Sequence, residues 1–99
     1  MIQQFKQFLG FGSNVDYQEL IENGAKVVDV RSREEYASGH AEGSLNIPVN
    51  EVPQKIQQIK NLKSPVILCC ASGMRASSVM GILKDAGMEV YNAGSWMNV

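Results

Sequence analysis

Apolar positions along the chain switch between two periods, and the switches mark out an alternation of helices and strands. Ile2, Phe5, Phe8 and Leu9 fall at helical spacing before Gly10 and Gly12 stop the pattern, which reads as an amphipathic segment over residues 1–13. Asp16 can cap a helix carrying Tyr17, Leu20 and Ile21, and Gly24 suits that helix's end. Residues 25–30 (AKVVDV) read as a short buried strand. Ser32-Arg33-Glu34-Glu35 is a capping box, serine at the cap and glutamate three residues on, and Gly39 ends the brief helix it opens. Residues 44–47 (SLNI) form a second strand, closed by Pro48. Val52, Ile56, Ile59 and Leu62 share one helical face, with Pro53 tolerated in the first turn. Ser64-Pro65 breaks the chain before a continuous apolar run over 66–69. Ala76, Val79, Met80 and Leu83 line the inner face of the next helix, which Gly87 ends, and residues 89–92 (EVYN) read as a last strand.

Strands alternating with helices of about ten residues predict an α/β domain with a mostly parallel sheet. Open sheets of this kind bind ligands beyond the carboxyl ends of their strands. Two chemically interesting segments sit at such ends, Asp29-Val30-Arg31 and the stretch from Cys70 to Arg75. Composition alters this picture little. A length of 99 residues sets one domain, and 44% hydrophobic residues suit a globular core. A formal charge of -1 gives no reason to expect nucleic acid or an anionic membrane as partner. No apolar stretch approaches the ~20 residues needed to cross a bilayer.

Cys70-Ala71-Ser72-Gly73-Met74-Arg75 carries the chemistry. A buried strand ending in cysteine, then a short glycine-containing turn, then a helix start, aims backbone N–H groups and a helix dipole at one point. The N–H groups of residues 71 to 75 form a nest there, and Gly73 lets several of them converge. Such a cradle stabilises a thiolate, a persulfide or a bound oxyanion, and Arg75 adds a planar cationic fork. Cys69 alternates with Cys70 and is expected to face the opposite side of the strand as inert core. Adjacent cysteines cannot form a framework of structural disulfides. With His40 they supply at most three ligands, one short of a closed zinc site, so no metal and no cofactor is expected. Residues 1–11 lack the apolar core of a secretory signal, and an unprotected reactive thiol fits a reducing cytoplasm.

These residues resemble the rhodanese family of sulfurtransferases. Cys70 to Arg75 is similar to that family's active-site loop, a cysteine followed by four residues and an arginine. Upstream, Val28-Asp29-Val30-Arg31, then Glu35-Tyr36, Gly39-His40 and Asn46-Ile47-Pro48 resemble a second family pattern. Val90-Tyr91-Asn92 and Gly94-Ser95-Trp96 resemble the last strand and its Gly-Gly-Trp turn. The similarity runs from about residue 14 to the end, and it implies a rhodanese domain over 14–99 with a five-stranded parallel sheet flanked by helices. A first short strand would lie near Asn14-Val15. The resemblance further implies Cys70 as nucleophile, with Ala71, Ser72, Gly73, Met74 and Arg75 as the anion cradle and Arg31 as a contact for the sulfur donor. Met74 stands where many relatives carry a polar residue, and Ser95 replaces the second glycine of the terminal turn.

The implied reaction is a double displacement. A Cys70 thiolate takes the outer sulfur of a donor such as thiosulfate, and a thiophilic acceptor removes it: cyanide, a thiol or a partner protein's cysteine. This needs no general acid, because sulfite is a good leaving group. Two other readings stay open on the residues. Counted from Cys69, the spacing is cysteine, five residues, arginine, as in cysteine phosphatases and arsenate reductases of related architecture. Alternatively, the chain is a module that binds a partner or carries sulfur without turnover. His40 is expected in a structural turn, Asp29 as a hydrogen-bond acceptor at a strand end, Glu35 in the capping box, and Trp96 in packing.

Overall fold

A computed structural model describes residues 15–99. The expected amphipathic segment over 1–13 lies outside the described residues, as does Asn14. Chain order is α1 (Tyr17–Glu22), β1 (Lys26–Asp29), α2 (Arg33–Ala37), β2 (Leu45–Asn46), a 3-10 helix (Val49–Lys55), α3 (Ile56–Lys60), β3 (Val66–Cys70), α4 (Met74–Asp85), β4 (Val90–Ser95) and a final 3-10 turn (Trp96–Asn98). The strands form one sheet in the order β2-β1-β3-β4, and every pairing is parallel. The sheet therefore has four strands among the described residues rather than the five expected, and Val15 lies in irregular backbone.

Parallel strands need crossovers, and the helices supply them while covering both sheet faces. On one face Val28, Val30, Val66, Leu68 and Cys70 pack with Val52, Ile59, Ala76, Val79 and Leu83 of the covering helices. On the other, Val27, Ile67, Cys69 and Ala93 pack with Tyr17, and Trp96 closes against them. Every residue of β3 is buried, which is why it reads as an unbroken apolar run instead of an alternating one. The period of two nevertheless decides the chemistry. It puts Cys70 and Cys69 on opposite faces, in different halves of the core.

Local signals act where expected. Asp16 accepts from the Glu19 N–H at 3.0 Å, and the Ser32/Glu35 capping box is complete in both directions. One helix differs from expectation. Residues 49–55 wind as a 3-10 helix with Pro53 inside it, and only Ile56–Lys60 is α-helical. Pro53 has no N–H to give an α-helical ladder, and the tighter form tolerates that loss over a short run. Val52 and Ile59 are still buried, so the shared apolar face survives the change of helix type. β4 runs to Ser95, three residues beyond the expected end, because a register shift between Leu68 and Cys70 lets Ser95 pair with Cys70.

Candidate active site at the β3–α4 loop

β3 ends on Cys70, and α4 starts at Met74 after a turn of three residues. Gly73 caps α4 with φ +100°, a left-handed backbone that a side chain would strain by about 1–2 kcal/mol. That conformation turns the Gly73 N–H back toward the strand, where it donates to Cys70 Sγ at 2.9 Å. Burial pushes the Cys70 thiol up, but the backbone N–H groups of Ala76, Ser72, Gly73 and Arg75 outweigh it and leave the thiol below its ordinary value. The sulfur itself is fully buried, whereas Ala71 and Ser72 are exposed and Met74 is 78% exposed at the rim. Hydrogen bonds to a sulfur shielded from water act at low dielectric, which strengthens them.

Cys69 behaves oppositely. Burial, with the Asp29 carboxylate adding to it, pushes its thiol up to about 12. It faces the Tyr17 and Trp96 side of the sheet and takes no part in the loop. A phosphate-binding loop counted from Cys69 would need that sulfur as its opener, so the geometry does not support the phosphatase spacing.

Asn92 anchors the loop from beneath. Its side chain amide donates to the Gly73 carbonyl at 3.1 Å and to Ser77 Oγ at 3.1 Å, and its Oδ1 accepts from the Gly94 N–H at 2.8 Å. The sequence pattern puts Asn92 in the last strand without a role. The available signal was an amide in an otherwise apolar buried strand, a group that must find partners.

Arg75 leaves the loop toward α2. Its guanidinium meets Glu35 in a two-point fork at 2.7 and 3.0 Å, with both side chains 39% exposed. That hydrogen bonding, ahead of the capping-box N–H, holds the Glu35 carboxyl at about 2. Glu35 thus does more than cap α2: it ties the α2 start to the loop. Arg31 is held far more deeply than Arg75. It is 4% exposed, and its Nε and Nη2 bind the fully buried Asp29 carboxylate at 2.8 to 3.1 Å. Nη2 also donates to the Gly39 carbonyl at 2.7 Å, and the guanidinium lies 4.7 Å from the Trp96 ring centroid. Alternation along β1 puts Asp29 on the face of Val27, the Cys69 face, so this pair braces the strand ends away from the Cys70 sulfur.

His40 sits in the turn expected of it, with Nδ1 2.7 Å from the Tyr36 carbonyl and its ring stacked on Tyr36 at 3.7 Å. Beside Arg75 opens a cleft of about 400 Å³ between the β1 end and the 3-10 helix. Among the described residues no three His, Cys, Asp or Glu side chains come together to hold a metal ion. No helix among them is long and apolar enough to cross a membrane.

Comparison with known proteins agrees with this geometry. The model of the rhodanese-like domain matches residues 13–98. Thiosulfate sulfurtransferase GlpE of Ectopseudomonas mendocina is 36% identical over 76 residues, which is 76% of this chain and 69% of that protein. The uncharacterized protein YqhL of Bacillus subtilis is 35% identical over 69 residues, 69% of this chain. The chain spans only about half of that relative's length, 54%. A solved structure described as rhodanese with anions from E. coli superposes with a TM-score of 0.69 at 31% identity, covering 76% of this chain and 91% of that one. The chain belongs to the rhodanese-like domain family.

Proposed function

We propose that the protein is a sulfurtransferase that carries sulfane sulfur on Cys70. The observation that carries this reading is the Gly73 N–H donated to Cys70 Sγ at 2.9 Å inside a loop whose other amides also favour the anion. A thiolate held in this way is both a nucleophile and a leaving group, as double displacement requires. In the first step the Cys70 thiolate attacks the outer sulfur of a donor such as thiosulfate. A sulfur–sulfur bond forms to Cys70, the donor's own S–S bond breaks, and sulfite departs with the bonding pair. The persulfide anion that remains is stabilised by the same N–H groups. In the second step an acceptor (cyanide, a thiol or a protein cysteine) attacks the terminal sulfur and releases the Cys70 thiolate.

Ala71, Ser72, Gly73, Met74 and Arg75 form the cradle in this reading. Arg31 is assigned a positioning role in place of donor contact, since Asp29 and the Gly39 carbonyl already occupy its Nε and Nη2 donors. Because Cys70 is fully buried, loading by a donor requires local opening at the Cys70–Arg75 loop. A reducing cytoplasm fits, because both cysteines must remain thiols. Intact mass spectrometry after incubation with a sulfane-sulfur donor tests the proposal. The expected result is gain of one sulfur atom, lost on adding cyanide with release of thiocyanate. A chain that gains no sulfur, or holds it permanently against cyanide, contradicts it.

A further inference from the structure

Asn92 supports the Cys70 site from a different strand, and its part there deepens the sulfurtransferase reading above and rests on it. Gly73, the cap of α4, has no side chain to accept from the first N–H groups of that helix, and the Cys70 sulfur takes that place. This holds only while the Gly73 peptide keeps its orientation, and glycine is the residue whose backbone turns most freely. Its carbonyl is fixed from two sides. The Ser77 N–H donates to it at 2.9 Å within α4, and the Asn92 side-chain amide donates to it at 3.1 Å from β4. The first bond ties Gly73 to its own helix, and the second ties it to the sheet that carries Cys70. The other end of the same amide shapes β4. Asn92 Oδ1 accepts from the Gly94 N–H at 2.8 Å, and Gly94 holds φ +82°. Between Asn92 and Ser95 the strand takes one residue more than β3 does between Leu68 and Cys70, so Ser95 arrives opposite Cys70. Asn92 is 2% exposed and its amide is matched at both ends, the second N–H by Ser77 Oγ at 3.1 Å.

We propose that Asn92 is a positioning residue for Cys70: its amide holds the Gly73 peptide and the β4 bulge in the arrangement that keeps the Gly73 N–H on the sulfur. It touches no reacting atom. It acts through Gly73 on the charge of the nucleophile, and equally on the persulfide anion that follows, because both rest on the same N–H groups. Without the amide, Gly73 is free to turn and its N–H leaves the sulfur. Burial then acts on a less compensated anion, and the thiol keeps its proton to higher pH.

The shift of the Cys70 β-carbon, followed against pH in the full chain and in its Asn92→Leu variant, tests this. Leucine is close to asparagine in length and has no N–H to give. The Cys70 midpoint is expected to rise by about one pH unit, which leaves about ten-fold less thiolate at any pH below both midpoints. Sulfur loading from thiosulfate falls by a similar factor there and recovers as pH passes the raised midpoint, a dependence that lost packing alone does not give. Asn92→Ser, whose hydroxyl is too short to reach the Gly73 carbonyl, is expected to move the midpoint the same way and takes over if the leucine chain does not fold. Tyr17→Phe separates this from stability. It removes the hydroxyl that donates to the Asn92 backbone carbonyl at 3.2 Å and leaves the amide in place. It is expected to lower the denaturant midpoint and to leave the Cys70 titration where it is. A Cys70 midpoint unmoved in a folded Asn92 variant, or moved as far by Tyr17→Phe, overturns the role of Asn92 alone. A parent chain that takes no sulfur overturns the sulfurtransferase reading, and the Cys70 midpoints still decide what Asn92 does.

Discussion

Replacing Cys70 by serine is expected to abolish sulfur loading, while replacing Cys69 by serine leaves it in place. A serine hydroxyl stays protonated at neutral pH even in a nest of N–H donors, and it forms no persulfide. Thiocyanate release from the Cys70→Ser chain should therefore fall to the uncatalysed background. Cys69 points into the other half of the core with its thiol pushed up to about 12, so it supplies no thiolate to exchange with its neighbour. Its replacement does place a hydroxyl in an apolar setting, which costs about 1–3 kcal/mol of stability if no partner is found. The two effects separate by measurement: sulfur gain by intact mass for the first, denaturant midpoint for the second. Loading that survives in Cys70→Ser and vanishes in Cys69→Ser would assign the chemistry to the wrong face of β3.

The largest effect on stability is expected at Asp29. The Asp29–Arg31 pair is buried on both sides, 0% and 4% exposed, and the carboxylate also accepts the Arg31 backbone N–H at 3.0 Å. Removing one partner of such a pair leaves the other charge uncompensated in the interior, at a cost of about 3–5 kcal/mol. A domain of this size has only about 5–15 kcal/mol in total, so Asp29→Ala should unfold at much lower denaturant or not accumulate at all. The double variant Asp29→Leu with Arg31→Met removes both charges and is expected to recover most of the loss. A single Asp29→Ala within about 0.5 kcal/mol of the parent chain, measured by denaturant titration, would show that the pair does not brace the strand ends.

Much of this architecture is legible in the residues because its signals are local. The capping box at Ser32, the aspartate cap at Asp16 and the apolar run of β3 each lie within a few positions. Even the choice between the two cysteines needs only the period of a strand. What stays hidden is long-range pairing. Glu35 and Arg75 are 40 residues apart, and nothing near Glu35 signals a second task beyond its cap. Asn92 reaches the Gly73 carbonyl across 19 residues, and a lone amide in a strand does not announce which loop it holds. The internal pairing of Arg31 is hidden for a different reason. Its partner lies only two residues away on the same face, but a strand-end arginine reads as free for ligand until burial shows that it needs an internal counter-charge. The 3-10 winding over residues 49–55 was hidden because its apolar positions repeat almost as an α-helix's do.

The ionisation of a single sulfur, followed by the ¹³C shift of the Cys70 β-carbon as pH is raised, probes the account most directly. A titration midpoint below that of an ordinary cysteine thiol is the predicted result, with backbone amides supplying the stabilisation. A midpoint at or above that value would mean that burial has won over the converging N–H groups, leaving a mostly neutral thiol that the loop does not activate.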